Sequence, residues 1–225
     1  MGACRRGCSF GESPVSWPSR VDAELPEKDA AAMPRIIAGT HRSRTLETVE
    51  GTTTRPYTDR VKESVYNILQ GHIEGFNVLD LFAGIGTMGL EAASRGAASV
   101  VMVERDRRVF AALERNVEML GAGDVAVALQ GDALSTLPIL RSPRPVHVIF
   151  VDPPYAMMVD ERARAKVLEQ VHRVSELLDE DGFILLRTPL PHPKTDHSVE
   201  GLAGPEARVY KKQETVLIYG RESAT

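Results

Sequence analysis

Asp80-Leu81-Phe82-Ala83-Gly84-Ile85-Gly86-Thr87-Met88-Gly89 is the stretch that decides the fold. An apolar run over 76–82 (FNVLDLF) reads as a buried strand and leads straight into Gly84-x-Gly86. A helix over 87–95 follows, opened around Gly89 and ended by Gly96. Small residues let the backbone turn sharply and approach a ligand closely. The helix start offers free N–H groups to that ligand. In a doubly wound sheet this is the crevice at the carboxyl end of the first strand.

The pattern continues outward. Strands are expected at 99–103, 125–129, 146–151 and 182–188. Helices are expected at 107–120 (closed by Gly121), near 133–140 and at 162–178. Such alternation gives right-handed crossovers and a mostly parallel, doubly wound α/β sheet. Residues 208–213 and 215–219 read as two strands with no helix between them, so one must run antiparallel. Upstream, 35–38 and 44–49 flank Gly39-Thr40-His41 as a small hairpin. Val61, Val65, Ile68 and Leu69 mark a helix over 58–70, capped by Thr58 or Asp59. Residues 1–32 lack periodicity and read as a disordered tail, with Met33 a candidate start of translation. The expected division is therefore a tail, an N-terminal hairpin and helix over 33–71, and a catalytic domain over 72–225.

Composition narrows the function. The chain has 225 residues, 43% hydrophobic and 26% charged, with a formal net charge of −4. That excludes a uniformly basic nucleic-acid wrapper and leaves room for a local patch. No apolar run nears the roughly 18 residues of a membrane span. Cys4 and Cys8 are the only cysteines, so the core has neither a disulfide framework nor a cysteine-built zinc site. A cytoplasmic protein without a metal is expected. Histidines 72, 147, 172, 192 and 197 show no ligand spacing.

Four acidic positions fall at strand ends. Asp80 precedes the glycines. A carboxylate repels a pyrophosphate and attracts the ammonium and sulfonium of S-adenosylmethionine, which favours that cofactor over NAD. Glu104, 24 residues on, can accept hydrogen bonds from both ribose hydroxyls of either cofactor. Asp132, in Gly131-Asp132-Ala133, can contact an adenine amino group, cap the next helix, or do both. Asp152-Pro153-Pro154-Tyr155 closes the 146–151 strand. Its prolines hold the backbone extended. Asp152 and the Pro153 carbonyl are two acceptors for an exocyclic amine, and Tyr155 is a ring on which a base can stack.

The basic residues Arg35, Arg42, Arg44, Arg55, Arg60 and Lys62 fall within 28 residues, against Glu47, Glu50 and Asp59. This local excess in an acidic chain is where a phosphate backbone is expected to land.

With these residues the chain resembles the RsmD family of bacterial 16S ribosomal RNA methyltransferases, which modify the N2 of a guanine. The resemblance spans about 34–219. It rests on Arg35-Ile36-Ile37-Ala38-Gly39, the Thr54-to-Glu63 segment TRPYTDRVKE, Asp80-Leu81-Phe82-Ala83-Gly84, Gly89-Leu90-Glu91-Ala92, Ser94-Arg95-Gly96-Ala97 and Asp152-Pro153-Pro154-Tyr155. It implies a class I methyltransferase fold, Rossmann-like, with seven strands and the last one antiparallel. It implies S-adenosylmethionine bound by Asp80, Phe82, Ala83, Gly84, Gly86, Glu104 and Asp132. It implies a catalytic group of Asp152, Pro153, Pro154 and Tyr155, and RNA contact by Arg35, Arg42, Arg44, Arg55 and Arg60. The implied partner is 16S rRNA, at guanine 966, in the small subunit or an assembly intermediate, met by a monomer. Ile85, the Thr40-to-Arg44 segment and the 1–32 tail depart from the family pattern. An adenine-N6 or other amino-group methyltransferase shares Asp-Pro-Pro-Tyr and is the alternative. A NAD oxidoreductase or a non-enzymatic RNA binder needs no such corner.

Overall fold

The computed structural model describes residues 33–50, 57–211 and 214–222. The tail with Cys4 and Cys8, and Arg55 with the rest of Thr-Arg-Pro, lie outside the described residues. In chain order the elements are α1 (Asp59–Ile68), β1 (Asn77–Leu81), α2 (Gly89–Ser94), β2 (Ser99–Glu104), α3 (Arg107–Leu120) and β3 (Ala126–Gln130). Then come α4 (Leu137–Arg141), β4 (Val146–Val151), α5 (Tyr155–Val159), α6 (Glu161–Ser175), β5 (Leu178–Thr188), β6 (Leu202–Lys211) and β7 (Glu214–Arg221).

One seven-stranded sheet has the order β3-β2-β1-β4-β5-β7-β6. β1 pairs in parallel with both β2 and β4. β7 lies antiparallel between β5 and β6. The order reverses between β1 and β4, which makes their carboxyl ends the topological switch point where such sheets take ligands. Strands buried on both faces need continuous apolar sequence. Val148, Ile149 and Phe150 in β4 and Ile184, Leu185 and Leu186 in β5 are fully buried.

Local chemistry sets the helix ends. Asp106 caps α3 by accepting from the Arg108 and Val109 N–H groups. Gly121, at φ 61°, closes it in the left-handed region. Thr58, of the two cap candidates, accepts from Val61 N–H. α6 ends at Ser175 and not at 178, because Leu177 O accepts from Val146 N–H and Leu178 pairs with Val146 in the sheet. Sheet pairing there overrides the helical spacing. β6 begins at Leu202, before the expected 208.

The N-terminal hairpin is a short ladder with one bridge, Arg35 to Thr45, that buries Ile36 and Leu46. Its turn presses onto α2. A Cβ at Gly39, where φ is 81°, would stand 1.8 Å from Ser94 O, so only glycine permits this approach. Thr40 N–H donates to Ser94 O at 2.8 Å, and Ser94 Oγ donates to Ala38 O at 2.6 Å.

Glu91 is the pivot of this contact. It is fully buried and accepts from Ile37 N–H at 2.8 Å and Ala38 N–H at 3.0 Å. It also pairs with Arg95 at 2.8 Å and Lys62 at 3.4 Å. Lys62, 1% exposed, donates to Arg35 O as well. The lysine grouped with the RNA-facing cations is thus an internal tie. Burial lowers its pKa, against the pull of Glu91. Removing one member of a buried ionic group strands the others in low dielectric. Glu91→Ala is expected to lower unfolding free energy by about 3–5 kcal/mol in urea titrations. Limited proteolysis should then cut first within residues 33–50.

Candidate active site

Strand β1 ends at Leu81, and the chain turns at once. Phe82 takes φ 61°, rare for a non-glycine residue and a mark of local strain. Gly84 at 58° and Gly86 at 89° complete the bend. The two glycines serve different ends. A Cβ on Gly86 would stand 2.6 Å from Leu113 Cδ1, so that residue packs inward. A Cβ on Gly84 would meet nothing within 4 Å, so that residue borders open space at the sheet edge.

Asp80 lies beneath the bend, 1% exposed, with Oδ2 accepting from Gly89 N–H at 2.8 Å. This corrects the expectation that the start of the α2 helix presents its N–H groups outward. The Gly89 donor is taken by Asp80, and Leu90 N–H donates to Gly86 O. Burial pushes the Asp80 carboxyl up to about 8. The Gly89 hydrogen bond opposes that rise, and the neighbouring Asp152 and Glu104 charges add to it.

Glu104, at the end of β2, bridges two loops. One oxygen accepts from Gly84 N–H at 3.0 Å and the other from Asp106 N–H at 2.7 Å. Asp132, after β3, is exposed and accepts from Leu134 N–H at 2.9 Å. It does not cap α4, whose N-cap is Thr136.

The second half of the site is built on β4. Leu81 and Val151 are in register, and Asp152 N–H donates to Leu81 O at 3.2 Å. The Asp-Pro-Pro-Tyr corner therefore lies directly beside the root of the glycine bend. Pro153 is buried and Pro154 exposed, in an extended conformation. Tyr155 is half-buried and begins α5, a helix not expected from the sequence. Pro154 O accepts from Met157 N–H at 2.8 Å, so the corner is followed by a helical turn.

Asp152 pairs at 2.7 Å with Arg187 of β5, a residue to which the sequence alone assigns no role. Arg187 also lies 3.5 Å from Glu214. Its guanidinium sits over the rings of Tyr57, at 4.2 Å, and Tyr155, at 5.4 Å. The signal was present in GFILLRT, where one cation follows directly on an apolar run. Burial pushes the Asp152 carboxyl up to about 6, with Arg187 pulling it down and Glu214 raising it.

The expected RNA-facing residues divide. Arg35, Arg42, Arg44 and Arg60 are exposed, and Arg35 pairs with Asp59 at 2.7 Å. The histidines left without a role include structural ones. His147 stacks on Phe76 at 4.4 Å and accepts from Asn77 N–H.

Residues 34–219 match the family model described as conserved hypothetical protein 95. The chain is 36% identical over 159 residues to the Escherichia coli K12 ribosomal RNA small subunit methyltransferase D, covering 71% of this chain and 73% of that protein. It is 35% identical over 136 residues to the Haemophilus influenzae protein of the same name, covering 60% and 70%. The solved yhhF structure of Escherichia coli superposes with a TM-score of 0.70 at 30% identity, covering 84% of this chain and 98% of that one.

The Asp80 shift carries a sign. Its folded pKa is raised, so the folded state holds a proton that the unfolded state has released. Stability from this group is therefore present at low pH and lost as pH rises from about 4 towards 8. Asp80→Asn removes that dependence. Relative to the variant, the native chain should lose up to about 1.4 kcal/mol per pH unit across this window, read from urea unfolding at pH 5, 6 and 7.

Proposed function

The chain belongs to the RsmD family of ribosomal RNA methyltransferases, whose methyl donor is S-adenosylmethionine, and on that premise we propose that it methylates the exocyclic N2 of a guanine in 16S rRNA. The observation that carries the reading is the Asp152-to-Leu81 hydrogen bond, which seats an amine-holding corner against a cofactor bend. The residues at the bend fit the cofactor. Gly84 opens onto space that a side chain would fill, and Glu104 is fixed at the end of β2 by two backbone donors. Phe82, Ala83, Gly84 and Gly86 line the bend, and Asp132 stands at the third strand end to meet the adenine.

S-adenosylmethionine, when bound, supplies an electrophilic methyl carbon on a positive sulfur. The protein supplies position. A guanine amine is a weak nucleophile because its lone pair is shared with the ring. Asp152 and the Pro153 carbonyl accept its two N–H bonds and turn the lone pair toward the methyl. Pro154 stiffens the corner, and Tyr155 stacks on the base. Holding reactants in line converts a bimolecular encounter into a unimolecular step, worth several kcal/mol. The N–C bond would form as the methyl–sulfur bond breaks, leaving neutral S-adenosylhomocysteine, and the proton lost from the nitrogen would pass to the Asp152 carboxylate and from there to solvent. The base must first leave its stack, which favours an RNA loop or a partly assembled subunit.

Arg35, Arg42, Arg44 and Arg60, with Arg55, receive the RNA backbone. The protein works as a monomer in the cytoplasm. Among the described residues no helix is long and apolar enough to cross a membrane. Guanine 966 is the nucleotide the family resemblance supports.

Purified protein should transfer labelled methyl to small-subunit rRNA or subunits, and nucleoside mass spectrometry should find N2-methylguanosine. Asp152→Ala should abolish transfer. Methylated adenine in its place would establish the adenine-N6 alternative. Charge removal at Arg42 and Arg44 should weaken RNA binding and flatten its salt dependence, by about one unit of log–log slope for each phosphate left unpaired.

A further inference from the structure

Arg187 is a cation on an interior strand, 4% exposed, directly after the fully buried Ile184, Leu185 and Leu186. A buried guanidinium is costly unless its charge and donors are met. Here the charge is met by two carboxylates and two aromatic rings of the site. Asp152 lies at 2.7 Å from the end of β4 and Glu214 at 3.5 Å from β7. The ring of Tyr57, just before α1, covers one approach, and that of Tyr155, in α5, another. A strand position needed only for packing would carry a leucine like its neighbours Leu185 and Leu186.

We propose that Arg187 is the positioning residue of this active site, fixing both the orientation and the charge of the Asp152 carboxylate and tying it to the N-terminal segment through Tyr57. This inference rests on the reading of Asp152 as an amine acceptor. A carboxylate has two oxygens and several acceptor sites. Pairing one oxygen with a planar guanidinium holds the carboxylate plane and leaves acceptor capacity for the amine. A protonated Asp152 would offer a donor where the amine also offers donors, so the site works only with the ionised form. Burial drives Asp152 toward protonation, as does the charge of Glu214. Tyr57 carries no charge at neutral pH, since burial raises its phenol well above its ordinary value. Arg187 is the one cation opposing that drive among the groups identified around Asp152. Its own pKa is raised, because Asp152, the tyrosines and Glu214 outweigh the cost of burial.

The linkage also explains why the ring of Tyr57 is buried. Tyr57 directly follows the Thr-Arg-Pro segment. Its stacking on Arg187 connects the chain that meets RNA to the acceptor that meets the base.

The test is a carbon-13 carboxyl titration of the full chain, assigned with Asp152→Asn, for native protein, Arg187→Met and Arg187→Lys. It needs neither cofactor nor RNA. Removing an adjacent opposite charge should raise the Asp152 midpoint by about 1–3 pH units in Arg187→Met. The acid limb of the kcat profile should move up with it, so that the variant is more impaired at pH 6.5 than at pH 8.5. A purely structural role would lower kcat equally at every pH. Arg187→Lys keeps the charge and loses the planar fork. Its midpoint should stay within about half a unit of the native value, while kcat falls about tenfold at all pH. If Arg187→Met does not fold, Arg187→Gln, which keeps a planar hydrogen-bonding group and loses the charge, takes its place in the titration, and an unmoved midpoint in it overturns the proposal. An unmoved midpoint in folded Arg187→Met, with Asp152→Asn inactive, overturns the Arg187 inference by itself. Full activity in Asp152→Asn overturns the reading beneath it.

Discussion

Two parallel strands that stop at the same level govern this molecule. Leu81 and Val151 pair at the ends of β1 and β4, and the next backbone hydrogen bond, Asp152 N–H to Leu81 O, draws the two following loops together. Each loop is stiff for its own reason. One is bent through positive φ at Phe82, Gly84 and Gly86. The other is locked by consecutive prolines. A parallel pair cannot shift register without moving its buried side chains out of place. The distance between a cofactor bend and an acceptor corner is thus set by the sheet and not by the loops.

Charge is buried in two distinct ways around this edge. Glu91 is neutralised by Lys62 and Arg95 and satisfied by two backbone donors, so it serves as a fastening between the hairpin and α2. Asp80 has a backbone donor from Gly89 and faces two other carboxylates, so its proton is held far above the ordinary range. Asp152 stands between these cases, with burial raising it and Arg187 restraining it. Perturbed groups of this kind gather where chemistry is done, whereas fully compensated groups mark architecture.

Much of this was legible in the chain. The strand–helix alternation, the glycine bend and the Asp-Pro-Pro-Tyr corner each have a local cause, such as a period, a left-handed turn or a proline lock. The hairpin was legible in kind, although its ladder is one bridge long. Asp132 was legible as a loop acceptor, but its partner proved to be Leu134 N–H and not the start of α4. The extent of α6 was misread because Leu177 and Leu178 suit a helix as well as a strand, and only Val146 across the sheet decides between them. α5 was missed because a proline-rich corner gives no sign that a helical turn follows.

The sequence by itself determined which residues could do chemistry and in what fold, since those depend on side-chain type and on neighbours within a few positions. Only the tertiary structure decided which charges face one another. Lys62 reads as one of six surface cations and is instead sealed against Glu91, 29 positions away. Arg187 reads as a strand end and is instead enclosed by Tyr57, Asp152, Tyr155 and Glu214, which come from three separate parts of the chain. Electrostatic energy depends on distance in space and on local dielectric. Neither quantity is written in the spacing of residues along the chain.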